Sequence, residues 1–298
     1  MEWNIELAID DWEEHGISDN ITAALGHLMS LPPTPEWTAA LQKMHVTYHL
    51  SLLPSAPAAL RHSPDPLPLG PSITLLESRA LISAGGTTGL RTWEAALHLG
   101  QYLCANPFLV SGRRVLELGA GTGYLSVLCA LHLGARHVLA SDGSADVVAS
   151  LADAISLRRL QGGRDGEVKM AALQLQWGHA LLGAELAPWH GGRGVDLVLG
   201  ADVTYDARVI PALVTTLQDL VRLFPDVLVL VAATERNKET YEVFMAACRA
   251  GPEALEVTMV EEFPVPARAE QMGPFYEDRV PIHICRIGRQ RPEDGPAS

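Results

Sequence analysis

From residue 72 onward, short apolar runs alternate with segments of helical spacing, and that alternation narrows the fold more than any other feature of the chain. RVLEL, HVLASD, VKMAALQLQW, DLVLGAD and DVLVLVAAT read as strands. YLSVLCALHLG, SADVVASLADAISLRRL with Ser144 as its cap, RVIPALVTTLQDLVRLF and KETYEVFMAACRAG read as helices. A continuous apolar run such as DVLVLVAA suits a strand buried on both faces, the condition of a parallel sheet covered by helices on either side. Strand and helix in regular succession predict an α/β fold with a doubly wound, mostly parallel sheet. LEVTMVEEF and RVPIHICRIG follow without a convincing helix between them and predict an antiparallel edge hairpin. Ahead of the alternation, SITLLES reads as a strand and TWEAALHLGQYLCAN as a helix with Thr92 at its N-cap.

Residues 1–71 have a different texture. PEWTAALQKMHVTYHLSLL predicts one amphipathic helix from about Pro35, and PSAPAALRHSPDPLPLGP reads as a proline-rich linker. The expected organisation is a mostly helical N-terminal extension with its linker over 1–71, an α/β domain over 72–290 and a polar tail over 291–298.

Composition removes several classes of function. A formal net charge of -13 lacks the electrostatic footprint of a nucleic-acid binder and argues against adhesion to anionic membranes. A macromolecular partner would better be a locally basic protein surface. Cys104, Cys129, Cys248 and Cys285 show no CxxC spacing, and His98 and His137 lack metal-ligand spacing, so no metal site is expected. The start MEWNIELAIDDWEEHG has no basic segment followed by an apolar one, and no apolar run is long enough to span a bilayer. A soluble, cytoplasmic chain acting as a monomer is the expectation.

The sharpest local signal is the turn Gly119-Ala120-Gly121-Thr122-Gly123, set directly between the strand end Glu117-Leu118 and a helix. In open α/β sheets ligands bind beyond the carboxyl ends of strands, where strand order reverses. A P-loop would need a lysine that is absent here, and the dinucleotide GxGxxG pattern would need glycine where Tyr124 stands. Glu117 is placed to accept hydrogen bonds from a ligand ammonium or from amides of the turn. Asp142 ends the next strand, where a carboxylate binds ribose hydroxyls. An ammonium beside a ribose points to S-adenosylmethionine over a nicotinamide dinucleotide, and over a plain structural turn.

ELGAGTG, the strand-end SD and the later ADVTYD resemble the class I methyltransferases with a seven-stranded, Rossmann-like sheet. GLRTWEAA, LQWG and DVTY, in that order, are more specifically similar to the methyltransferase-like lysine methyltransferases. TGLRTWEAALHL, ADVTY and TERNKET look like the branch that methylates a lysine of eukaryotic elongation factor 2. The resemblance spans about residues 72–290. It implies cofactor contacts from Trp93, Glu117, Gly119, Ala120, Gly121, Asp142, Trp177 and Ala201, with Trp177 flanking the adenine. It places Asp202 and Tyr205 on the acceptor side, Asp202 to attract and orient the lysine ammonium and Tyr205 to hold the amine or its stem. Glu235 and Arg236 are candidates for the substrate rim. The implied activity is transfer of methyl groups to a protein lysine. A small-molecule methyltransferase, or a non-catalytic binding protein on the same fold, are the alternatives.

Overall fold

The computed structural model describes residues 19–30, 43–54, 70–78, 89–161, 170–179, 181 and 194–289. Strands β1 (Met44–His49) and β2 (Ser72–Glu77) pair antiparallel in a small sheet of their own. The main sheet contains β3 (Arg114–Leu118), β4 (His137–Asp142), β5 (Met170–Gln174), β6 (Leu197–Ala201), β7 (Leu228–Thr234), β8 (Leu255–Met259) and β9 (Ile282–Arg289). Their order is β5-β4-β3-β6-β7-β9-β8, seven strands in all. Pairing is parallel from β5 to β7, and β9 lies antiparallel between β7 and β8. The expected mostly parallel α/β sheet is therefore present, and the closing hairpin puts β8 at the edge.

The helices are α1 (Asp19–Ser30), α2 (Glu94–Ala105), α3 (Tyr124–Leu131), α4 (Ala145–Gln161), α5 (Ile210–Leu223) and α6 (Lys238–Cys248). Successive strand residues point to opposite faces, so each strand feeds two cores. Val115, Val138, Leu197 and Leu230 pack with α2, α3 and α4 on one face. Leu116, Leu139, Val198 and Val229 pack with α5 and α6 on the other. Cys104, Cys129, Cys248 and Cys285 are free and buried.

One expectation fails in the N-terminal region. Met44–His49 is a strand, not the continuation of a helix from Pro35. Its side chains alternate between half-buried Met44, Val46 and Tyr48 and exposed His45, Thr47 and His49, a period of two. Val46, Thr47 and Tyr48 suit a pleated surface, and β2 offers the ladder, with Met44 opposite Glu77 and His49 opposite Ser72. The pair straddles the boundary expected at 71/72. Most of the proline-rich stretch, the start of the expected helix and the polar tail lie outside the described residues.

Strand order reverses between β3 and β6, because β4 and β5 lie on one side of β3 and β6 and β7 on the other. The crevice that such a reversal opens lies at the carboxyl ends of β3 and β6.

Candidate active site

β3 delivers Glu117 and the glycine turn into this crevice. Gly119 and Gly121 have φ of 63° and 52°, where a side chain is strained. A Cβ on Gly119 would stand 2.9 Å from Val203 Cγ1, and one on Gly121 would stand 3.3 Å from the Gly89 backbone. The turn is pinned from β4. The Ala120 amide donates to the Ser141 carbonyl at 2.8 Å, and the Gly121 amide to Asp142 Oδ2 at 3.1 Å. Asp142 Oδ1 also accepts from the Ser144 amide at 3.0 Å. A carboxylate has about four acceptor positions, so Asp142 pins the turn and keeps capacity for a ligand hydroxyl.

Trp93, Glu117, Gly119, Ala120, Gly121, Asp142, Trp177, Ala201, Asp202 and Tyr205 all line one cavity of about 470 Å³. The sheet order arranges them along it. Trp177 follows β5, Asp142 ends β4, the glycine turn follows β3, and Ala201, Asp202 and Tyr205 follow from β6.

Glu117 is almost fully buried and its Oε2 accepts from the amide of Ser126, at 2.9 Å, and from the Ser126 hydroxyl. The donors thus come from the first turn of α3 rather than from the glycine turn. Burial pushes the Glu117 carboxyl up to about 7; the Ser126 bonds oppose the shift and the Asp142 charge adds to it.

Asp202 departs from the simplest picture of an acid facing an incoming ammonium. It adopts φ of 52°, in the left-handed region. Its carboxylate is buried and accepts from the Thr234 amide at 2.9 Å, the Thr234 hydroxyl at 3.1 Å and the Ala95 amide at 3.3 Å. Arg236 adds two longer bonds, of 3.3 and 3.4 Å. The Ala95 contact explains another departure. The N-cap of α2 is Trp93, with no capping side chain, so Asp202 supplies from β6 the cap expected of Thr92.

Trp93 lies under two guanidiniums, Arg91 at 4.5 Å and Arg236 at 4.9 Å from the ring centroid. Glu94 ties both arginines down, pairing with Arg91 at 3.4 Å and with Arg236. Arg236 is therefore at the rim, whereas Glu235 turns to His283 at 2.7 Å. Tyr205 is 54% exposed at the cavity lip, the one acceptor-side candidate whose side chain is largely open.

Arg91, Thr92 and Thr122 also line the cavity and were not singled out from the sequence as ligand contacts. They are immediate neighbours of Trp93 and Gly121, and adjacency in the chain was the available signal. The Arg91 Nε is buried without a partner among the described residues. No cluster of metal-ligating side chains occurs among the described residues, nor a helix long and apolar enough to cross a membrane.

Residues 79–250 match the model of a family described as lysine methyltransferase. The chain is 56% identical over 285 residues to protein-lysine N-methyltransferase EFM3 of Chaetomium thermophilum, covering 96% of this chain and 80% of that one. It is 32% identical over 234 residues to EFM3 of Saccharomyces cerevisiae, covering 73% and 66% of the two chains. With human protein-lysine N-methyltransferase EEF2KMT it shares 36% identity over 188 residues, 60% of this chain and 54% of that protein.

Proposed function

This chain belongs to the lysine methyltransferase family, and from that premise we propose that it transfers methyl groups from S-adenosylmethionine to a lysine side chain of eukaryotic elongation factor 2. The observation that carries the chemistry is one cavity at the sheet's reversal point, lined by every cofactor candidate and by Asp202 and Tyr205. The choice of factor rests on the motif resemblance, and the identity with the human protein fits it.

The residues fit the cofactor in the order they take along the sheet. Trp177 offers a ring face to the adenine. Asp142 offers its remaining acceptor positions to the ribose hydroxyls. The backbone of Gly119, Ala120 and Gly121 admits the methionine end without a Cβ in the way, and Arg91 is placed for its carboxylate. Glu117 and Ala201 close the floor, and Trp93 walls the side towards the acceptor. When bound, S-adenosylmethionine supplies an electrophilic methyl group on a positively charged sulfur.

The acceptor must react as a free amine, whereas an isolated lysine, with a pKa of about 10.4, arrives charged at neutral pH, so its proton passes to water or to a carboxylate before the transfer. Desolvation in the mouth and the positive charge of the bound cofactor's sulfur favour the neutral form; the Arg91 and Arg236 guanidiniums are already paired with Glu94 and Asp202. Tyr205 at the lip can hold the amine or pack on the lysine stem. Asp202 acts by fixing the ends of β6 and β7 and the start of α2 around the mouth. An arriving ammonium can share its carboxylate by displacing Arg236, whose bonds there are long. Rate then comes chiefly from alignment of amine and methyl group.

The test is incubation of the purified protein with S-adenosylmethionine and purified elongation factor 2, followed by peptide mass spectrometry. Methylation of one lysine, lost in the Asp202→Ala and Tyr205→Ala variants, is expected. An unmodified factor, with label entering a different protein of a lysate, would overturn the choice of substrate.

A further inference from the structure

Outside the glycine turn and its motifs, one buried acid is linked to the same cavity through two threonines. Glu77, the last residue of β2, is 1% exposed and has no cationic partner among the described residues. Its Oε1 accepts from the Thr92 hydroxyl at 2.6 Å and from the Tyr48 hydroxyl of β1 at 2.9 Å. Its Oε2 is buried without a hydrogen bond among the described residues. Thr92 is in turn 2.7 Å from the hydroxyl of Thr122, in the glycine turn, and both threonines line the cavity.

Hydroxyl chemistry fixes the direction of this chain. A threonine has one proton to give. Thr92 gives its proton to Glu77, so in the Thr92–Thr122 contact Thr122 must be the donor. The proton of Thr122 is then committed to Thr92, and the oxygen keeps only lone pairs for a ligand. Bonds running in one sense towards a carboxylate also polarise one another. A buried carboxylate is costly unless a cation complements it, and the protein supplies none among its described residues.

We propose that Thr122 is the acceptor for the ammonium of the S-adenosylmethionine amino-acid moiety. Glu77 is the positioning residue that makes it one, acting through Thr92. Arg91 and Thr122 then divide that moiety between them, carboxylate to the guanidinium and ammonium to the hydroxyl. The small β1–β2 sheet thereby becomes part of the cofactor site through Tyr48 and Glu77. This rests on the cofactor reading above and adds the group that recognises the charged nitrogen.

The experiment compares two ligands by calorimetry. S-adenosylhomocysteine carries the amino-acid moiety, and 5′-methylthioadenosine lacks it. Thr122→Val, Thr92→Val and Glu77→Gln are measured beside the wild type, with melting temperature as a check on folding. Each variant should bind S-adenosylhomocysteine about tenfold or more weakly, the scale of a hydrogen bond to a charged group, while methylthioadenosine affinity stays within about twofold. Thr122→Val retains the side-chain shape and stays informative if Glu77→Gln fails to fold. Equal loss for both ligands would make the network merely structural and overturn the proposal, as would no loss for either. A wild type that binds neither ligand would instead strike at the cofactor reading itself.

Discussion

Glu117 is a buried acid at the floor of the cavity, and its ionisation couples the site to pH. Its carboxyl is raised from 4.5 to about 7, chiefly by burial. A carboxyl raised in the folded state contributes stability that is complete below its unfolded value and is lost as pH rises through the folded value. The ligand-free protein should therefore lose stability between pH 4.5 and about 7, by on the order of 3 kcal/mol if this group acted alone. Glu117→Gln should flatten that segment of a urea-denaturation pH series, and an unchanged slope would refute the assignment. A bound cation favours the charged form, so S-adenosylmethionine should release protons near neutral pH. Calorimetry in buffers of different ionisation enthalpy would detect the release, and Glu117→Gln should abolish it. Gly119 constrains the site differently. Its φ of 63° and the 2.9 Å approach of a Cβ to Val203 mean that Gly119→Ala should cost about 1–2 kcal/mol for the backbone alone. It should also weaken S-adenosylhomocysteine binding. A variant with wild-type melting temperature and affinity would contradict this.

At the scale of elements, Asp202 joins β6, β7 and α2, and two substitutions separate its carboxylate from its backbone. Asp202→Ala removes the acceptor for Ala95, Thr234 and Arg236. Arg236 is 39% exposed, which discounts the ion-pair part for solvent, leaving an expected loss of about 2–4 kcal/mol. Asp202→Gly loses the same acceptor but relieves φ of 52°, so it should be less destabilised than alanine by about 1 kcal/mol. Denaturant midpoints with equal m-values check this, and equal losses would show that the backbone holds no strain. This cap also marks where sequence reading stops. The apolar runs of β3, β4, β6 and β7 were legible because burial on both faces leaves them continuous, and the amphipathic α5 because burial on one face imposes a period. Thr92 has the chemistry of an N-cap, yet its hydroxyl is taken by Glu77, and a residue over a hundred positions away caps α2 instead. No local pattern encodes such a partner. The helical expectation fails over Met44–His49 for a related reason, since the ladder that makes it a strand lies across the proline-rich stretch in β2. Of the candidate site, Glu117, the glycine turn and Asp142 were legible from their place at strand ends, and Trp93, Trp177, Ala201, Asp202 and Tyr205 only through the family resemblance. The threonine relay behind it was not, because it depends on how β2 packs.

For the whole molecule, the question is which part of the N-terminal region belongs to the fold. Residues 43–54 do. Leu50 is 2% exposed within the core that packs around α2 and α3. The Leu50 amide donates to the Pro71 carbonyl at 2.8 Å, and the Ser51 hydroxyl donates to the Gly273 carbonyl, on the connection between β8 and β9. Tyr48 reaches Glu77, which Thr92 links to the cavity. Removing this segment would strip the small sheet of a strand and the core of a buried leucine, whose loss alone costs about 2–5 kcal/mol. A chain beginning at Ser55 should accordingly show a lowered melting temperature and weakened S-adenosylhomocysteine binding. A chain beginning at Lys43 should match the full-length protein in both. The Lys43 chain is thus the sound test of whether the preceding residues recognise the protein substrate. With fold and cofactor affinity intact, recognition by those residues would appear as a raised KM for elongation factor 2 at unchanged KM for S-adenosylmethionine. An unchanged KM for the factor would assign recognition to the α/β domain and the β1–β2 sheet.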